Sequence, residues 1–447
     1  MFRTSSSYKR LKILPLAAVI FLTVSGGPYG LEPLLSYGGK NGALLLLILT
    51  PLVWDVPTIL MVMELNSMMP VNGGYYQWVK RALGIRWAWY EGWWTWLYTF
   101  VDLAIYPVLF VEYASFFFPE IAEYKIPVCL AIIWAGAGLN ILGIVPVGRI
   151  SLLLSAAVVV PFIILFGIHL SHHNTSWHIP LLSLKGIGFS SLGMGLYTVM
   201  WNFIGWDNIT TYAGEVNKPV KTYFISILMA FALTFAIYFI AVIIALASGI
   251  DLTMLNDEGF PALGDIVGGR WLALIIAGGG MASALGLFSA VLLSISRIPK
   301  VMADDGLLPE KLHALHRKYK TPYISIIISA IIVSGMILWT FGDLLIIDIT
   351  LYGGALFLEF VSLIKFRIIV PRERRPFKIP LNVAGLCVLF LLPIGVYTIA
   401  LSSAFSLSGK MLTPALFAIA SLLSAEVIWR IISWRKKISN LRSQTHH

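Results

Sequence analysis

Long apolar stretches, separated by short segments of basic and turn-forming residues, recur from residue 13 almost to the end of the chain. Each stretch is roughly twenty residues or longer, enough to cross a hydrocarbon core about 30 Å thick as a helix. The pattern predicts twelve helices, over residues 13–37, 41–68, 87–117, 126–143, 150–170, 191–213, 223–248, 271–299, 322–340, 343–366, 383–403 and 411–433. An outer-membrane barrel would show alternating segments of about ten residues, and no such alternation dominates. The expected class is therefore an all-α integral membrane protein embedded in a lipid bilayer, with residues 1–12 and 434–447 as tails.

Composition agrees and charge orients the spans. Only 12% of the 447 residues are charged, 58% are hydrophobic, and the mean hydropathy is +0.84; a soluble domain carries about twice that charge. The net charge of +10 does not imply nucleic acid, because the basic residues sit in the connections. With twelve crossings, 27 of the 32 Lys and Arg residues share one side, leaving Lys40, Lys125, Lys185, Arg270 and Lys410 opposite. The positive-inside rule then places both termini in the cytoplasm of a multi-pass cell-membrane protein. The first span follows Arg3, Lys9, Arg10 and Lys12 without an evident small-residue cleavage site, and is read as a retained helix. Cys129 and Cys387 both fall in predicted spans, so neither a disulfide nor a metal cluster is expected. The run Trp87, Trp89, Tyr90, Trp93, Trp94, Trp96 and Tyr98 reads as an interfacial aromatic belt. Glu64 and Glu91 fall near the inner ends of their spans and read as solvated.

Two spans carry material that a lipid-facing helix would not choose. The first holds Ser25-Gly26-Gly27-Pro28-Tyr29-Gly30, where proline removes a donor and glycine loosens the backbone. The sixth holds Trp201-Asn202-Phe203-Ile204-Gly205-Trp206-Asp207. Unpaired backbone at membrane depth costs several kcal/mol per group, so each interruption needs protein, water or a ligand to satisfy it. The interruptions occupy corresponding places in two five-helix halves, residues 13–170 and 191–366, with 383–433 forming two further helices. Five crossings invert the second half relative to the first, which is the signature of an inverted-repeat carrier whose substrate lies between two discontinuous helices. Half-helix N-termini suit an anionic group and half-helix C-termini an ammonium, so a zwitterion or an amine is expected.

Acidic side chains at membrane depth are costly and usually functional. Asp55, Asp102, Glu112, Asp207 and Glu359 qualify, with no mid-span Lys or Arg predicted to neutralise them. Tyr106 lies one turn beyond Asp102 on the same helix face, and the two form an anionic, aromatic wall for an organic cation. Asp207 sits at the second interruption, where it can contact an ammonium or carry a proton; Asp102 and Glu112 are the other proton-coupling candidates, and Asp55 and Glu359 read as scaffold groups held by Trp or Tyr donors. His169, His172, His173 and His178 cluster around one loop and His446-His447 end the chain, a setting that offers a metal no fixed geometry. Ser283, Ser289 and Ser294 can serve either a sodium site facing the first interruption or close helix contact.

These interruptions, together with Ala213-Gly214-Glu215-Val216-Asn217-Lys218-Pro219, the loop Ser296-Arg297-Ile298-Pro299-Lys300-Val301-Met302-Ala303-Asp304-Asp305-Gly306-Leu307-Leu308-Pro309, and Arg375-Pro376-Phe377-Lys378-Ile379-Pro380, occur in the order and topological places found in the amino acid-polyamine-organocation superfamily, which the chain resembles over nearly its whole length. Asn72-Gly73-Gly74-Tyr75, Tyr106-Pro107-Val108-Leu109-Phe110 and Leu358-Glu359-Phe360-Val361 look closest to its polyamine uptake branch, a proton symporter and amino acid permease group. The resemblance implies ten core helices in two inverted halves plus two peripheral ones, with substrate at the paired breaks, Ser25, Gly26, Gly27, Pro28, Tyr29, Trp201, Asn202, Phe203, Gly205 and Asp207, and Trp201 as the gating aromatic; Asp102 and Tyr106 of the third span complete the candidate binding residues. Two departures stand out. Many relatives have a hydroxyl residue between the glycines of the first break, and some proton-coupled ones have a lysine in the fifth span, which residues 150–170 lack.

The expected function is secondary active transport of a small molecule, an amino acid or polyamine with a cationic substrate favoured, by rocking of helix bundles and closure of Trp201. Protons are the favoured coupling ion, with sodium-coupled neutral amino acid transport or amino acid exchange as the alternative and a channel as a further class. No Gly-Lys-Ser/Thr phosphate loop and no paired nucleophile and base is present, so neither a nucleotide-driven pump nor an enzyme is expected, and no cofactor.

Overall fold

The computed structural model describes residues 11–171, 182–338, 341–406 and 412–444. Arg3, Lys9, Arg10, His172, His173, His178, Lys410, His446 and His447 lie outside the described residues. Within them the regular structure is helical, apart from isolated bridges pairing Leu11 with Val216 and Asn72 with Tyr212.

The chain begins with α1 (Ile13–Val24), stops at the Gly-Gly-Pro segment, and resumes as α2 (Glu32–Thr50). Gly39 in α2 is non-helical, with φ 61° and ψ −175°, and separates the first two predicted spans. A π-helical turn, Pro51–Asp55, leads into α3 (Val56–Met68), where Pro57 withholds the N–H that a regular ladder needs. There follow α4 (Gly74–Leu83), α5 (Ile85–Ser115), α6 (Lys125–Ile141) and α7 (Ile144–Ser171). Then α8 (Phe189–Trp201) ends abruptly, and two short 3₁₀ turns, Asn208–Thr211 and Ala213–Glu215, connect it to α9 (Pro219–Ser248). The next connection, predicted as a loop, contains the short helices α10 (Leu252–Glu258) and α11 (Phe260–Gly268); Asp251 caps α10 by accepting the Thr253 N–H at 2.9 Å. The remainder is α12 (Arg270–Ile295), α13 (Ile298–Asp304), α14 (Tyr323–Met336), α15 (Phe341–Ile369), α16 (Val383–Ser406) and α17 (Leu412–Gln444).

Among the described residues nine helical stretches are long and apolar enough to cross a membrane. The other three predicted spans correspond to the shorter α1, α8 and α14. At the centre α5 packs against α12 and α15, α12 also against α7, and α1 is enclosed by α7, α9 and α12, while α2 lies on α8. Exposed Leu, Ile, Val and Phe side chains on α7, α9, α16 and α17 form the outer apolar surface.

Two expectations are corrected by long-range contacts. The aromatic run on α5 is not an interfacial belt, because α17 covers it: the indole N–H groups of Trp89 and Trp94 donate to the Ala425 and Leu422 carbonyls at 2.8 and 2.9 Å, and Trp93 donates to Ser424 Oγ at 2.8 Å. Trp87 alone of the four tryptophans Trp87, Trp89, Trp93 and Trp94 is strongly exposed. Glu64 is not solvated either. It is fully buried and receives two 2.6 Å bonds from the Arg367 guanidinium, with Arg375 Nε at 3.3 Å and the Ile379 N–H at 2.8 Å. The Arg-Pro-Phe-Lys-Ile-Pro segment after α15 is thereby folded back onto α3. Bidentate geometry and the added backbone donor satisfy the carboxylate, as a buried charge requires.

The two interrupted regions are joined directly. The Asn202 amide donates to the Gly30 carbonyl at 3.2 Å, and the Tyr238 hydroxyl of α9 donates to the Asn202 carbonyl at 2.8 Å, with the Ser25 carbonyl at 3.4 Å. Gly30 has φ +86°, and a Cβ there would lie 2.7 Å from Trp201 Cζ3, so glycine is required both for the backbone and for the close approach of the indole. Gly205 (φ +98°) likewise lets the second interruption approach the Thr23 carbonyl at the end of α1.

Removing Glu64 leaves two buried guanidinium groups uncompensated, so Glu64→Ala is expected to destabilise the protein by about 3–5 kcal/mol, read as a lowered Tm of the detergent-solubilised protein. Gly30→Ala forces a left-handed residue against an indole and is expected to cost about 1–3 kcal/mol; an unchanged Tm would show that the segment relaxes without strain.

Candidate functional site

Helical periodicity places Asp102 and Tyr106 on one face of α5, and the Tyr106 hydroxyl donates to Asp102 Oδ1 at 2.5 Å. Trp201, the last residue of α8, donates its indole N–H to the same oxygen at 3.3 Å, and its ring lies 6.4 Å from that of Tyr106 at 31°. Asn202 follows at once and binds the first interruption. Thus the aspartate of one helix, the terminal tryptophan of another and the Gly30 turn of a third meet in one buried place. Asp348 lies on α15, the helix that packs along α5. It is fully buried, and neither of its carboxyl oxygens has a partner among the described residues.

A second group lies along the same α5–α15 contact. Asp207, just past the second interruption, accepts the Tyr352 hydroxyl at 2.8 Å. Tyr98 donates to Asn208 Oδ1 at 2.8 Å and stands edge-on to Tyr352, with ring centres 5.3 Å apart. Glu359 and Glu91 both interact electrostatically with Asp207. Glu91 accepts only a long 3.5 Å bond from Thr95, and the Glu359 carboxyl lies within hydrogen-bonding reach of the Asp207 carboxyl, so that a single proton can be shared between the two. Glu91 is therefore corrected from a solvated group to a fully buried one, because α5 is enclosed by α12, α15 and α17 along its length. Positions 91, 95, 98, 102 and 106 form one stripe of α5, and 348, 352 and 359 one stripe of α15.

Of the residues singled out in the sequence, Asp102, Tyr106, Trp201, Asn202 and the Gly30 turn are brought together, and Asp207 joins the neighbouring group. Tyr29 turns elsewhere: its hydroxyl donates to the Ile276 carbonyl at 2.7 Å, and its ring contacts Tyr113 and Phe162. Phe203 packs edge-on against Tyr238. Gly26 and Gly27 are pressed against Leu287 and Val158, and Ser25 Oγ accepts the Gly27 N–H at 3.0 Å. Ser283 Oγ lies beside Gly26, buried and without a partner among the described residues. Ser289 bonds to Asn140, and Ser294 to the Ala290 carbonyl. Asp55 accepts the Trp206 indole N–H at 3.3 Å, whereas Glu112 is exposed and outside both groups. Sequence reading missed Asp348, Tyr352 and Tyr238. An acid five residues inside the span starting at Asp343 was a usable signal for Asp348; the tyrosines carried none, since their roles depend on which helix they face.

Three of the segments that carried the resemblance, those around Asn72, Gly214 and Arg297, meet beside the 3₁₀ turns that follow α8. Gly73 N–H donates to the Thr211 carbonyl at 2.7 Å, Gly214 N–H to Asn72 Oδ1 at 2.9 Å, and Arg297 pairs with Glu215 at 3.1 Å. Asn72, Glu215, Arg297, Lys300 and Lys320 line a cavity of ≈ 640 Å³ there.

Ion pairs among the described residues use other acids, leaving Asp102, Asp348, Asp207, Glu359 and Glu91 without a Lys, Arg or His partner. Tyrosine and tryptophan faces beside them suit an ammonium. Among the described residues no group of three or more His, Cys, Asp or Glu side chains is placed to hold a metal ion.

Comparison with known proteins identifies the framework. The amino acid permease family model matches residues 11–421. The chain is 33% identical to the polyamine transporter RMV1 of Arabidopsis thaliana, over 86% of this chain and 78% of that protein. It is 32% identical to the polyamine transporter PUT1 of Oryza sativa subsp. japonica, over 87% and 72%, and 33% identical to a probable polyamine transporter of Arabidopsis thaliana, over 90% and 85%. With its apolar helices and its match over almost the full length, the chain belongs to the amino acid permease family, multi-pass membrane transporters of small molecules and not enzymes.

Proposed function

We propose that this protein is a secondary active transporter that carries a linear organic cation of the polyamine class, in preference to a neutral amino acid, by alternating access coupled to protons. The observation that carries the reading is the set of buried, unneutralised carboxyls on the facing stripes of α5 and α15, beside the meeting point of the two interrupted helices. Carboxyls gathered at this depth demand a counter-charge, and either a bound ammonium or a proton supplies it. Exchange of one for the other is the elementary step of proton-coupled cation transport. Asp102 and Asp348, with Tyr106 and Trp201, are assigned to the substrate cation. Asp207, with Glu359 and Glu91, is assigned to the proton. The names of the plant relatives, polyamine transporters, support the substrate class.

The proposal includes the full topology. Twelve crossings with both termini in the cytoplasm of a cell membrane are supported by the distribution of basic residues. Two inverted halves, residues 13–170 and 191–366, are supported by the matching places of the interruptions after α1 and α8. Rocking of one helix bundle against the other, with Trp201 leaving and rejoining the Gly30 turn, opens the site alternately to each side. A sodium-coupled reading draws on one observation, the unpartnered Ser283 Oγ beside Gly26.

Uptake into proteoliposomes tests these assignments. Asp207→Asn is expected to abolish proton-driven uptake while leaving the Tm unchanged; undiminished transport removes Asp207 from the mechanism. Asp102→Asn and Asp348→Asn are each expected to weaken polyamine uptake by about tenfold or more, the loss of one charge-assisted hydrogen bond, and to affect neutral amino acids less. Replacing sodium with choline is expected to leave uptake intact, and an inward proton gradient to raise it; strict sodium dependence would favour the Ser283 site.

A further inference from the structure

The start of α2 contains a carboxyl group in the place where an interrupted helix offers its N–H groups. Glu32 is the first residue of α2 and is buried. Its Oε2 accepts the Gly30 N–H at 2.7 Å, and its Oε1 accepts the Tyr113 hydroxyl at 2.7 Å and the Phe260 N–H at 3.5 Å. Other N–H groups of the interruption are also engaged within the chain. Gly26 donates to the Phe21 carbonyl and Leu31 to the Pro28 carbonyl, each at 3.0 Å, and Gly27 donates to Ser25 Oγ at 3.0 Å. Pro28 has none to give. A half-helix N-terminus, with its partial positive charge, is the natural seat for an anionic substrate group. Here that seat is occupied by the chain's own carboxylate.

The opposite observation holds for cations. Asp348 is fully buried on α15, the helix packed along the α5 that carries Asp102, and has no partner for either oxygen among the described residues. A ligand ammonium meets unsatisfied acceptors, whereas a ligand carboxylate meets a filled seat and like charge.

We propose that Glu32 is a specificity-determining residue: it acts as an internal replacement for a substrate carboxylate, so that the site takes carboxylate-free amines and rejects the amino acids of matching length. The same negative group also keeps the Gly30 turn in place without a ligand, through the Gly30 N–H, so an amine lacking a carboxylate can close the site. Two effects set the discrimination. An amino acid must displace a buried carboxylate that has three donors, and it brings its own negative charge next to Asp102 and Asp348. This inference rests on the transport reading above.

The test uses pairs that differ by a single carboxylate: putrescine and ornithine, cadaverine and lysine, agmatine and arginine. In proteoliposomes holding the full-length protein, each amine is expected to compete for labelled putrescine at least tenfold better than its amino acid. Glu32→Gln removes the charge while keeping the shape, and is expected to narrow that ratio by tenfold or more, mainly by strengthening the amino acid. Glu32→Asp keeps the charge and is expected to retain the rejection. An unchanged ratio in a Glu32→Gln protein of wild-type Tm overturns the assignment. If Glu32→Gln does not fold, equal competition by amine and amino acid in the wild type, or loss of rejection in Glu32→Asp, overturns it instead, and retained rejection in both supports it. A wild type that takes up none of the six compounds overturns the transport reading itself, an outcome distinct from uptake of amines and amino acids alike, which overturns only the role of Glu32.

Discussion

Backbone polar groups inside a membrane protein must find partners, and the two helix interruptions satisfy each other. The Asn202 amide holds the Gly30 carbonyl, and the Tyr238 hydroxyl spans the Asn202 and Ser25 carbonyls. Without this mutual satisfaction, each break would expose several groups at a cost of several kcal/mol apiece, and continuous helices would win. The contact therefore does two things at once. It makes interrupted helices tolerable, and it brings the end of α8, with Trp201, onto the Gly30 turn beside Asp102.

Around that contact the molecule separates two kinds of charge. Structural charge is paired: Glu64 is gripped by Arg367 and Arg375, and Glu215 by Arg297, and these pairs pin connecting segments to helices. The charge on the α5 and α15 stripes is left unpaired, with only tyrosine, tryptophan and threonine donors beside it. A buried acid with a guanidinium partner is fixed in one state, whereas a buried acid with hydroxyl partners can exchange a proton or an ammonium. This contrast in partners, more than the number of acids, separates the scaffold acids from those assigned to transport in the proposed function.

Glu32 belongs to neither kind. It is satisfied by hydrogen bonds alone, from Gly30, Tyr113 and Phe260, which lie on three different parts of the chain. It thus ties the first interruption to α5 and α11 and sets the sign of the field at the start of α2. Tyr29, one turn away, serves as a wedge between Tyr113 and Phe162. The Gly30 turn is thereby held by groups of the chain itself, while Asp348 on the α15 side keeps both oxygens without a partner among the described residues.

The apolar pattern by itself determined the long apolar helices, the two interruptions and the acid–aromatic pairing of Asp102 with Tyr106, since all are local: span length, Gly-Pro chemistry and helical periodicity act within a few residues. Even the Gly39 kink falls where the pattern divided two spans. What it could not convey was which faces turn toward one another. The tryptophans of α5 resembled a membrane-surface belt until α17 covered them, and Glu64 and Glu91 looked solvated until α15 closed over both. Asp348, Tyr352 and Glu32 acquired their places only through partners far away in the chain, as Glu32 and Phe260 show across 228 positions. Local patterns state the depth and the helix face of a side chain; its partners, and hence whether its charge is neutralised or left open, are set by the packing of helices distant in sequence.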